Sequence, residues 1–278
     1  MSGGSSTGSY AADWLVNPLS ELELGAALTF VTAPESMLRM DNDGALRFTD
    51  LGIFSAGARY SFAKRFELAG GASLLAKQPS YLDEPVFSGG NLALRFALAE
   101  KWALWAQGAG GPLLADLGGW GTAATGLQAR TRLDRTIQVQ AALGGSATKL
   151  FMGDDSGRPW FGEVSAHGET VLRTPRGETA GWIGVDYRVP VYHDDGNLDI
   201  DPQIRLNFEV GLMLGYVDNW DLSMVYTLID RGDYSDPATT LPMLDGGFDQ
   251  QQLMFAASRR FELADDEDKE DVRKWIAE

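Results

Sequence analysis

The chain has 278 residues, 33 of them glycine, no cysteine, and a formal net charge of −16. Without cysteine there are no disulfide frameworks, Cys-ligated zinc sites or cysteine nucleophiles. The acidic balance argues against a general nucleic-acid binder, which needs a basic face to meet phosphates. At 44% hydrophobic residues the chain is too apolar for disorder, yet no apolar run reaches the ~18 residues of a membrane helix.

Residues 1–18 read as a flexible lead, with Trp14, Leu15 and Val16 able to tuck into the lower mouth of whatever follows. "MSGGSSTGSY" has neither a basic n-region nor an apolar h-region. If the protein is exported, its signal has been removed or lies outside this numbering. From Leu19 to Leu263 the pattern has a period of two almost throughout. It predicts strands over 20–32, 51–62, 66–77, 86–98, 102–113, 120–133, 136–148, 160–173, 178–191, 203–217, 220–231 and 250–263. These exceed the roughly 5–6 residues usual in soluble sheets and match the ~9–11 tilted residues that cross a bilayer. Residues 264–278 form an acidic tail in which Val272, Trp275 and Ile276 fall on one stripe of a short helix.

The connections alternate in length. Short turns fall at "AKR" (63–65), "AEK" (99–101), "LDR" (133–135), "PRG" (175–177) and "DN" (218–219). Longer loops lie near 33–50, 78–85, 114–119, 149–159, 192–202 and 232–249. This asymmetry predicts an all-β, transmembrane, up-and-down antiparallel barrel of about twelve strands, with short periplasmic turns and longer extracellular loops. The barrel would occupy 19–263. A repeated unit supports it: "RYSFAKRFELAGG" from Arg59, "RFALAEKWALWAQG" from Arg95 and "RTRLDRTIQVQAALGG" from Arg130, with a weaker echo at Arg173.

The two faces of each strand differ. In 203–217, Ile204, Leu206, Phe208, Val210, Leu212 and Leu214 alternate with Arg205, Asn207 and Glu209. The polar face carries small residues and charges of both signs, which suits a wet lumen better than a soluble surface. The apolar face ends in aromatics beside the short turns: Tyr60, Phe62, Phe66, Phe96, Trp102, Tyr216, Trp220 and Phe261. Such a row is expected of a membrane-interface girdle.

On these features the chain resembles the Gram-negative outer-membrane β-barrel superfamily. The last strand, "QQLMFAASRRFEL", looks like the signal read by barrel-assembly machinery, with a near-terminal aromatic at Phe261, although fifteen residues follow it. The resemblance implies a location in the bacterial outer membrane, with lipid and lipopolysaccharide as its surroundings.

Several residues carry candidate chemistry. Arg59, Arg95, Arg130, Arg173 and Arg260 all take the lumen phase near the periplasmic mouth. They read either as an anion-selecting ring or as charges paired with Glu67, Glu163, Glu169, Asp186, Glu209 and Asp221. Ser165, His167, Glu163 and Glu169 share a face, but same-face strand neighbours rarely reach one another as nucleophile and base. No enzymatic activity and no cofactor are expected. In the acidic loop "HDDGNLDID", Asp194, Asp195, Asp199 and Asp201 are weak candidates for Ca²⁺ or Mg²⁺, because the ordered calcium-loop pattern is missing. The expectation is a monomeric passive channel for small polar or anionic solutes, its bore narrowed by Arg/Glu pairs and by Trp105 and Trp182. The alternative is a non-conducting scaffold that anchors a periplasmic or surface partner, through the tail for example.

Overall fold

A computed structural model describes residues 15–16, 19–32, 51–77, 86–112, 118–152, 160–174, 179–194, 204–216, 219–231 and 250–265. Among them run twelve strands: β1 (Glu21–Thr32), β2 (Leu51–Phe62), β3 (Phe66–Lys77), β4 (Val86–Ala99), β5 (Trp102–Pro112), β6 (Gly118–Arg132), β7 (Ile137–Met152), β8 (Trp160–Arg173), β9 (Thr179–Asp194), β10 (Arg205–Tyr216), β11 (Trp220–Arg231) and β12 (Gln250–Glu262). Each pairs antiparallel with its neighbours in sequence, and β12 closes on β1, from Glu21↔Glu262 to Thr32↔Gln251. The seam continues past the strands, where Leu263 N–H donates to the Ser20 carbonyl at 2.9 Å.

The expected strands all form. β6 begins earlier than expected, at Gly118, and β7 and β9 run further, to Met152 and Asp194. Residues 149–152 and 192–194, expected in loops, therefore belong to strands. The reason is pairing: Lys149–Met152 meet Gly118–Gly121 on β6, and Tyr192 stacks on Trp160 at 4.3 Å. The interiors of the long loops, the turn at 175–178 and the tail from 266 onward lie outside the described residues.

The wall has an apolar outside and a polar inside. Leu24, Leu28, Leu68, Leu94, Ile183, Leu212 and Leu222 are among the large apolar side chains exposed on the outer face. A closed wall with that much exposed hydrocarbon is a membrane-spanning surface, since a water-soluble protein rarely carries an apolar patch larger than a few hundred Å². No helix among the described residues is long and apolar enough to cross a membrane.

The short turns have distinct local chemistry. In the 63–65 turn, Ala63 (φ 51°) and Lys64 (φ 62°) both adopt the left-handed conformation, which closes the hairpin between Phe62 and Phe66. At 133–136, Asp134 Oδ1 accepts hydrogen bonds from Thr136 N–H (2.6 Å), Ile137 N–H (2.7 Å) and the Thr136 hydroxyl (2.9 Å). The short turns also dock on the next strand. Arg130 N–H donates to the Lys101 carbonyl, Arg173 N–H to Thr136 and Arg260 N–H to Asn219. Arg130, Arg173 and Arg260 thus mark the rung at which a descending strand passes the preceding turn, whereas on β4 that place falls to Ala97, whose N–H donates to the Arg65 carbonyl.

Glycine makes room for two indole rings inside the wall. A Cβ on Gly126 or Gly144 would lie 2.7 or 2.6 Å from Trp105 Cζ2. A Cβ on Gly211 would overlap the ring of Trp182. Both indoles, which the sequence places on the inward face, lie against the wall over glycine.

Two predictions follow from these local contacts. Gly211→Ala collides with a buried indole, so it should lower stability in vesicles by about 1–3 kcal/mol. Urea unfolding followed by tryptophan fluorescence measures this, and an unchanged midpoint contradicts the packing. The second concerns Asp134, whose carboxyl is held below the usual 3.8 first by the Thr136 N–H and then by the Ile137 N–H. Its folded pKa is depressed, so its contribution is complete above the unfolded value near 3.9 and is lost as pH falls through the lower folded value. A carboxyl ¹³C titration should place the Asp134 midpoint below 3.8.

Candidate functional site

The lumen wall carries two sets of charged residues. The first is a belt near the periplasmic end, across β11, β12, β1, β2, β3 and β4. Backbone register puts Glu23 on β1 directly between Arg260 on β12 and Arg59 on β2. It also puts Glu67 on β3 opposite Arg95 on β4. Arg59 donates to Glu23 and, at 3.3 Å, to Glu67 Oε2, with Glu21 at 3.9 Å. Arg95 Nη1 takes the other oxygen of Glu67 at 2.7 Å. Arg260 Nε lies 3.0 Å from Asp221 Oδ2. Glu67, only 2% exposed, is thus shared by two guanidinium groups. Burying a carboxylate this deeply is tolerable only with such partners.

Of the five arginines that the sequence placed at the periplasmic mouth, Arg59, Arg95 and Arg260 sit on carboxylates in this belt. Arg130 Nε and Nη2 donate to Gln140 Oε1 at 3.0 and 2.7 Å. Arg173 keeps the same phase at the end of β8.

The second set occupies β8, β9 and β10. Going from the extracellular end inward, the inward rungs read Ser165–Arg188–Arg205, His167–Asp186–Asn207 and Glu169–Gly184–Glu209. Arg205 Nη2 faces Glu163 Oε2 at 3.6 Å, and Arg188 Nε meets Asp186 Oδ1 at 2.9 Å. His167 Nε2 faces Glu169 at 3.8 Å, while Trp182 Nε1–H donates to Glu209 Oε1 at 2.7 Å. His167 is thus set against carboxylates. Among the described residues no group of three or more His, Asp or Glu side chains is arranged to hold a metal ion. Asp194 ends β9 opposite Trp160, and Asp195, Asp199 and Asp201 lie outside the described residues.

The rest of the bore is unevenly lined. Small inward residues such as Ala27, Gly57, Gly71, Ala93, Ala109 and Ala124 line β1–β6 above the belt. Facing the periplasm below the second set, Val171, Ala180, Trp182, Met213 and Val225 form a buried apolar cluster, with Met254 packed on it. Another apolar contact lies at the periplasmic end, where Leu15 and Val16 pack with Ala97 and Ala103.

Aromatics occupy the outer face at the short-turn end, and four of them are in contact. Tyr60, Phe62, Phe66 and Phe96 follow one another with ring centroids 5.4, 5.6 and 4.9 Å apart. Trp102 is exposed on the outer face. The Arg259 guanidinium lies over Trp220 (5.7 Å) and over Phe261 (5.2 Å), a cation–π arrangement. Tyr216 pairs through its backbone with Trp220.

Sequence reasoning missed Glu23 and Arg188. Glu23 alternates with Leu22 and Leu24 in "ELELG", which marks it as inward. Its partners, however, arrive only when the first and last strands meet. Arg188 lies on the inward phase of β9, beside the bulge where pairing shifts from Gly162↔Tyr192 to Glu163↔Pro190.

No protein-family model matches the chain, and no curated protein matches its sequence. Solved structures do match its fold. An outer-membrane channel from Pseudomonas putida F1 aligns over 93% of this chain and 100% of its own, at 14% identity and a TM-score of 0.55. The NanC porin aligns over 85% of this chain and 98% of its own, at 5% identity and a TM-score of 0.53. A closed twelve-stranded wall, apolar outside and charged within, gives this chain the fold of the outer-membrane β-barrel porins and channels.

Proposed function

We propose that this barrel is a passive channel of the bacterial outer membrane for small polar solutes, anions among them. The observation that carries the reading is the lumen wall itself. It bears charges of both signs on β11 through β4 and on β8 through β10, with a lining of small residues between them. Side chains packed to fill a core would be apolar, whereas polar groups along a bore suit water and hydrated solutes. The similarity to solved channels supports the same reading through the fold.

Charge pairing sets the expected selectivity. Arg59, Arg95 and Arg260 rest on carboxylates. This favours structural pairing over a bare arginine ring, so the channel's anion preference should be mild. The barrel would reach the membrane through the assembly machinery, with Phe261 in the terminal strand as part of the signal. It would then lie among lipid and lipopolysaccharide.

Planar-bilayer recording tests the channel directly. Folded protein should give small, reproducible conductance steps, because twelve strands enclose less than a sixteen-stranded porin. Folded protein that opens no channels favours the non-conducting scaffold. Glu67→Gln removes the negative charge that Arg59 and Arg95 share. It should move the reversal potential in a salt gradient toward anion selectivity and lower unfolding stability by about 3 kcal/mol. An unchanged reversal potential would place the belt off the ion path.

A further inference from the structure

Leu15 and Val16 lie before the first strand, yet they are 2% and 3% exposed. Their seat is Ala97 on β4 and Ala103 on β5, themselves 5% and 0% exposed. These alanines are directly opposed in the ladder, and both take the inward phase: Ala97 follows Arg95, and Ala103 precedes Trp105, at the same alternation. The apolar pair therefore sits inside the wall, at the periplasmic end beside the 99–101 turn.

The seat is a gap in a polar rim. On one side stand Glu67 and Arg95. On the other, Gln128 opposes Ala103 across β5 and β6, with Arg130 and Gln140 beyond it. Only side chains as short as alanine leave room there for a leucine and a valine. Burying these two residues also removes apolar surface from water.

The chain enters β1 at Ser20, whose carbonyl is held by Leu263 at the seam. Leu15 and Val16 contact β4 and β5, on a different part of the wall.

From this geometry we infer that Leu15 and Val16 are a built-in plug: they seat on the Ala97–Ala103 pair and restrict flow through the periplasmic mouth. The inference rests on the channel reading. It assigns the lead an autoinhibitory role that can be removed without touching the charged belt. An apolar constriction of this kind limits conduction by excluding water as well as by its bulk.

The test uses two readouts. The first compares single-channel conductance of the full chain, of a chain lacking residues 2–18, and of Ala103→Leu, which fills the seat from the wall. Deletion and Ala103→Leu should each raise conductance at least about twofold if the seated pair narrows the path. The second readout exploits the lack of cysteine in the chain. A single Val16→Cys thiol should react with a bulky maleimide much more slowly in the folded barrel than in urea. Adding Ala103→Leu should restore fast labelling. Equal, non-zero conductance with and without the lead overturns the plug and leaves the channel standing. Labelling as fast in the folded protein as in urea overturns the seat. No current from either folded chain overturns the channel reading, and with it the plug's control of flow.

Discussion

Hydrocarbon offers no hydrogen-bond partner, so every N–H and C=O of a strand crossing lipid must be satisfied by a neighbouring strand. In this protein that requirement is met only because β1 and β12 join. Their ladder runs from Glu21↔Glu262 to Thr32↔Gln251 without a shift in register. A pairing one residue out of step would have turned every lipid-facing leucine into the bore and every charge into the membrane. Closure therefore fixes the ladder and the sidedness of the wall together.

The charged belt reinforces that seam. Glu23, on the first strand, stands between Arg260 on the last and Arg59 on the second. Through Arg59 and Glu67 the pairing continues to Arg95. A buried ion pair contributes little net stability once desolvation is counted. Its value lies in specificity, because a slipped seam would leave several of these charges buried without partners. One set of residues thus holds the barrel in register and sets the charge of this part of its inner wall.

The bore is built from unlike walls. Charged rungs on β8–β10 face inward above a buried apolar cluster around Trp182 and Met213, while β1–β6 present mainly small side chains. Glycine is part of this construction: Gly126, Gly144 and Gly211 accept the faces of Trp105 and Trp182 against the inner wall. At the periplasmic end, Ala97 and Ala103 play the opposite part, giving space to a segment that comes from outside the wall. Side-chain size along the strands thus decides what packs against each part of the inner wall.

Much of this was legible in the sequence, because a strand alternates with period two and lipid and water reward opposite residues. The twelve strands, their direction, the outer aromatics and the inward phase of Arg59, Arg95, Arg130, Arg173 and Arg260 all follow from local pattern. So does Glu67 as a buried acid. Glu67 and Asp221 were also legible as carboxylate partners for these arginines, but which charge meets which was not. Glu23 meets Arg59 because β1 pairs with β2, and it stands beside Arg260 only because the ends of the chain close. Nor did pattern show that Trp105 and Trp182 lie flat, which depends on glycines one and two strands away. The sequence by itself determined the elements and which side of each strand faces lipid, since both are set by neighbours along the chain. Only the tertiary structure decided which charges pair, which rings fold onto the wall and where Leu15 and Val16 come to rest. Those contacts depend on register between strands distant in sequence, and register exists only once the barrel closes.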